Sequence, residues 1–60
     1  MTINENYALY LFEDFLLDDF FMESVKRPTD ETVAFWNQFL ESNPMQVNTF
    51  KAAQMFIEDL

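Results

Sequence analysis

The 60-residue chain contains no cysteine, no histidine and no glycine. Without cysteine there is no disulfide framework and no thiolate ligand, and without histidine the commonest metal ligand and the commonest general base are both missing. Hydrolytic triads, zinc sites and cysteine nucleophiles are excluded. Glycine-rich loops that cradle phosphate need backbone able to approach a ligand without an intervening Cβ, so P-loop and Rossmann nucleotide binding are excluded too. Cations are scarce: three Lys and Arg face eleven Asp and Glu, a net charge of −8. Such a chain repels nucleic-acid backbones. The longest apolar run, Tyr7 to Phe12, is six residues, far short of the roughly 20 that span a bilayer. No secretory signal is recognisable, because the first basic residue is Lys26. A cytoplasmic location is the expectation.

What the chain does have is apolar bulk. Half of its residues are hydrophobic, including eight Phe, two Tyr and one Trp. A domain of this size hides only about 60% of the surface that its unfolded chain exposes. Eleven aromatic rings exceed what such a core comfortably encloses, so part of this surface is expected to meet a partner. Burial and chain entropy nearly balance in so small a scaffold, and docking can supply part of its stability.

The prolines mark helix starts. Thr29 after Pro28 is placed to cap a helix beginning near residue 30, with Asp30 and Glu31 in its first turn where the macrodipole favours them. Asn43 before Pro44 reads as an N-cap with proline at the first helical position. Lys26 and Arg27 suit the C-terminus of an earlier helix that closes before Pro28. Asp18 and Asp19 read as a break and cap, giving short helices near 12–17 and 19–26. Residues 1–6 read as a loose polar start. The expected architecture is all-α: two short helices, then an antiparallel helical hairpin turned at Asn43–Pro44.

Helical phase at 100° per residue sorts the side chains. Val33, Phe35, Trp36, Phe39 and Leu40 share an arc of about 160° on the third helix. Phe50, Ala52, Ala53, Phe56, Ile57 and Leu60 share a similar arc on the fourth. Both arcs are wider than the roughly 100° that one core contact requires, and the surplus can serve a second surface. Phe21, Trp36, Phe39, Leu40, Phe50, Ala53 and Ile57 are read as the core. Phe35, Met45 and Met55 sit at or beyond the edges of their arcs and are open to partner contact, methionine being adaptable at binding surfaces. From Tyr7 to Val25 apolar residues surround nearly the whole helical circumference.

The order "DDFFMESVKRPTDETVAFWNQFLESNP" followed by "FKAAQMFIEDL" resembles the N-terminal cytoplasmic anti-sigma domain of FecR-type regulators, especially the form common in Bacteroidetes. The resemblance covers about residues 12–60. Its strongest element is Trp36 eight residues before Pro44, with Asn43 preceding that proline and Phe50 and Ala53 following it. It implies a domain that holds an extracytoplasmic-function sigma factor beneath the inner membrane. In that family a membrane helix and a periplasmic domain follow, neither of which these residues contain. Membrane attachment is implied only through such a segment, and the sign of regulation stays open.

Residues 1–25 carry six acidic side chains and no basic one, a local charge of −6. That charge is either a solvated face that keeps an apolar domain soluble or a complement to a basic partner. On the second reading Phe12, Phe15, Leu16, Phe20, Met22 and Phe35 touch the sigma factor, with Asp14, Asp18 and Glu23 as charged partners. Neither cofactor nor metal is implied, because no activated nucleophile can be named and a calcium loop needs a glycine. An acyl carrier needs a serine at a helix start, whereas Ser24 falls within an expected helix and Ser42 near the end of one. The alternative is a helical module that buries its surplus surface in a symmetric homodimer.

Overall fold

The computed structural model describes residues 5–60, and the side chains of residues 7–60. The chain is all-helical over these residues. A 3-10 segment, Glu5–Leu9, leads into α1 (Phe12–Leu16), α2 (Asp19–Lys26) and α3 (Asp30–Ser42), and a second 3-10 turn, Pro44–Gln46, runs directly into α4 (Val47–Glu58). The loose start expected for residues 1–6 thus becomes helical at residue 5. Residues 1–4 lie outside the described residues.

Local chemistry accounts for the boundaries. Asp18 begins α2 by accepting a hydrogen bond from the Phe21 N–H at 2.9 Å. The helix stops at Arg27, whose N–H donates to the Glu23 carbonyl at 2.7 Å, because Pro28 follows. At the head of α3, Thr29 and Thr32 form a reciprocal box. Thr29 Oγ1 accepts from the Thr32 N–H at 3.2 Å and Thr32 Oγ1 accepts from the Thr29 N–H at 2.9 Å, satisfying two otherwise free donors. In α1, Asp14 reaches back to the Leu11 N–H at 2.9 Å.

Asn43 serves both sides of the turn. It stands as N-cap with Pro44 at the first position, as expected, but its side chain makes no capping bond there. Its backbone N–H and its Nδ2 both donate backward to the Phe39 carbonyl, at 2.9 and 3.0 Å, and so also close α3. The last turn of a helix leaves carbonyls free, and with φ −134° and ψ 64° the asparagine turns back to serve one of them. Pro44 then opens the 3-10 turn, closed by the Gln46 N–H donating to the Asn43 carbonyl at 2.9 Å.

The core is a cluster of aromatic rings. Tyr7, Phe15, Phe21, Trp36, Phe50, Ala53 and Ile57 are buried, and Phe39 and Leu40 are half-buried against them. Trp36 is its centre, with ring centroids 4.9 Å from Tyr7, 5.5 Å from Phe21 and 5.3 Å from Phe50. Most of the pairs meet edge to face, the arrangement favoured by the ring quadrupole and worth about 0.5–1.5 kcal/mol beyond area burial. The backbone of α4 packs against α1 and α2, whereas α3 reaches α4 through the Trp36–Phe50 contact. The Trp36 Nε1 is enclosed without a hydrogen-bond partner among the described residues. Such a group costs about 1–3 kcal/mol, which the burial of the indole offsets.

A buried glutamine fastens the first segment. Gln46 Nε2 donates to the carbonyls of Tyr7 and Tyr10, at 2.8 and 2.9 Å, across 39 and 36 residues of sequence. Tyr10 is held a second time, its hydroxyl donating to Asp18 Oδ2 at 2.7 Å. These bonds tie the Glu5–Leu9 segment to the α3–α4 turn and the start of α2.

Candidate partner-binding surface

The structure divides the residues expected at a partner. Phe15 is fully buried, its ring 4.9 Å from Phe21 and 5.9 Å from Phe50. It belongs to the core, because α4 and α2 close over the inner side of α1, and its place at a partner surface is corrected. Asp18 is half-buried and already engaged within the fold: one oxygen caps α2 and the other accepts from Tyr10. Glu23 is exposed and paired with Arg27, one turn on, at 2.7 Å. An exposed pair of this kind contributes little and leaves Glu23 free to change partners.

Phe20 and Phe35 are half-buried and meet edge to face at 5.3 Å, both against Trp36. Leu16 and Met22 are half-buried against the core, and Asp14 is exposed. Phe12 lies elsewhere, 36% exposed and 5.8 Å from Phe56 of α4. No ring contact joins the Phe12–Phe56 pair to Phe20 or Phe35 among the described residues.

Phe56 shows what the wide arc of α4 does. Phe50, Ala53 and Ile57 are buried. Ala52, Phe56 and Leu60 are exposed, Phe56 at 48% and Leu60 at 79%. The two sets are centred about 90° apart on the helix. One edge of the arc faces the core and the other faces outward beside Phe12, with Met55 adjoining it, also exposed. The sequence signalled this second surface only through the width of the arc. Leu9, Leu11 and Leu17 are exposed as well, Leu17 at 83%.

A second feature is a groove of about 320 Å³ between α2, α3 and α4. Val25, Val33, Trp36, Leu40 and Phe50 give it apolar walls, and Thr32, Asn37, Lys51, Gln54 and Glu58 line it with polar groups of mixed charge. Among the described residues no cluster of three or more acidic side chains is placed to hold a metal, and no helix is long and apolar enough to cross a membrane. Comparison of the chain with protein-family models, with curated proteins and with solved structures gives no match.

Proposed function

We propose that this domain is a protein-binding module of the anti-sigma kind, which holds an extracytoplasmic-function sigma factor away from polymerase or promoter. The observation that supports it most is the apolar surface left outside a closed core: Phe12, Leu17, Met55, Phe56 and Leu60 stay exposed although the ring cluster around Trp36 is complete without them. The composition supports a binding role over catalysis, since no histidine, cysteine or glycine is available to build a reactive site. The net charge of −8 suits a partner that carries Lys and Arg for promoter DNA. The identity of the partner rests on the FecR-type resemblance of residues 12–60. That reading places the domain in the cytoplasm.

The mechanism is occlusion. Apolar side chains supply affinity, and the surrounding carboxylates raise the encounter rate and orient the complex by occupying a basic surface that DNA would otherwise bind. Titration calorimetry of the domain against an extracytoplasmic-function sigma factor from the same organism, at low and high salt, tests it. A complex that weakens as salt rises is the expected result. A tight homodimer indifferent to salt and blind to the sigma factor would overturn the proposal in favour of self-association.

A further inference from the structure

We infer that the docking surface is the outer face of α1 and α4 centred on Phe12 and Phe56, and that its occupant is an amphipathic helix whose apolar stripe is flanked by Lys or Arg. This rests on the protein-binding reading above and adds to it the place and the chemistry of the contact. Ala52 and Phe56 on the exposed edge of α4, and Leu60 just past its end, recur at four-residue intervals. They form an apolar line in which Ala52 and Phe56 stand about 6 Å apart along the axis and successive members drift by about 40° around it. Phe12 stands beside the middle of that line, 5.8 Å from Phe56 and edge to face with it. A line of this shape between two helices receives side chains at i, i+3 and i+4 of a third.

Charge selects among occupants. The exposed charged groups nearest this face are Glu13, next to Phe12 on α1, and Asp59 beside Leu60, both acidic. The cations are elsewhere. Lys51 lies about 140° around α4 from Phe56, and Lys26 and Arg27 end α2, Arg27 already paired with Glu23. A second copy would bring another net charge of −8 to the contact, and an anionic membrane would be repelled in the same way. A basic helix satisfies both the apolar line and its acidic margins. The groove between α2, α3 and α4 offers no such selection, because Lys51 and Glu58 both line it.

The test is an NMR titration of the whole domain with two peptides of about 18 residues (five turns), one patterned Leu/Lys and the other Leu/Glu with the same apolar stripe. The Leu/Lys peptide is expected to shift the amides of Phe12, Ala52, Phe56 and Leu60, and the Leu/Glu peptide to shift none. Ala52→Arg, at an exposed position that does not disturb the core, and Phe56→Ala should each weaken the Leu/Lys complex, the latter by about thirtyfold, as for a central anchor side chain. Val33→Asp in the groove should leave it unchanged. Shifts centred on Val25, Val33 and Leu40 would overturn the inference while leaving the protein-binding reading intact. Equal binding of the Leu/Glu peptide would overturn the partner chemistry, and a homodimer closed through Phe56 would overturn the choice of occupant. With no shift from either peptide the inference falls, and calorimetry against the sigma factor then decides the broader reading separately.

Discussion

Substituting Gln46→Leu should loosen the whole first segment, because this amide supplies two long-range bonds, to the Tyr7 and Tyr10 carbonyls. Each bond contributes about 1 kcal/mol net, and a buried acceptor left without a partner costs about 1–3 kcal/mol. The Tyr7 carbonyl keeps a second donor, the Tyr10 N–H at 3.1 Å, so the larger figure does not apply to it. The expected loss is about 2–3 kcal/mol. A domain of this length has a total stability of about 3–9 kcal/mol, so the variant surrenders at least about a fifth of it. Its midpoint of thermal unfolding should fall by about 10–20 °C. Circular dichroism follows the helices, and fluorescence reports on Trp36, whose ring lies 4.9 Å from Tyr7.

The isosteric Gln46→Glu variant gives the sign of the effect. A carboxyl buried there against two carbonyl oxygens holds its proton more tightly in the folded state than in the unfolded chain. Its deficit relative to wild type should therefore shrink as pH falls toward the ordinary glutamate range, about 4, and grow as pH rises through the folded-state value. A leucine variant melting within about 2 °C of wild type would refute the reasoning. So would a glutamate variant whose deficit deepens in acid.

Three further outcomes follow from the same contacts. Phe15→Ala should cost about 3–5 kcal/mol and leave the domain largely unfolded, whereas Phe12→Ala should cost well under half of that and impair binding instead; urea unfolding and peptide titration separate the two. Asp18→Ala removes both the cap of α2 and the acceptor for the Tyr10 hydroxyl and should cost about 1–3 kcal/mol by thermal unfolding, more than Thr29→Ala, which removes a cap alone and should cost about 1 kcal/mol. Complex formation with the sigma factor should slow in association and weaken between 50 and 500 mM salt, as stopped-flow mixing would read, because the acidic margins act chiefly on encounter.

Helix boundaries were legible where a residue's own chemistry sets them. Asp18 and Thr29 cap the helices that they were placed to cap, and Pro28 separates α2 from α3, because a short oxygen-bearing side chain and a ring without an N–H act on neighbours within one turn. Asn43 shows the limit of that reasoning: its amide can serve the helix behind it or the one ahead, and the free Phe39 carbonyl took it. Which ring of α1 faces inward was not legible. Phe12 and Phe15 are three residues apart in a five-residue helix apolar on nearly every side, so only the docking of α4 distinguishes them. Tyr7 and Gln46 were missed for the same reason. Their burial depends on one another across 39 residues, and nothing in the local pattern around either marks it. On α4 the width of the apolar arc did carry information, since its outer edge became the Ala52, Phe56 and Leu60 line.

The account stands on apolar side chains kept outward for another protein, and the heat capacity of association reads that most directly. Calorimetric titration of the domain with an extracytoplasmic-function sigma factor at several temperatures should give a one-to-one complex whose binding enthalpy becomes steadily more negative on warming, the mark of apolar surface leaving water. Association with an enthalpy independent of temperature, or none at all, would contradict it.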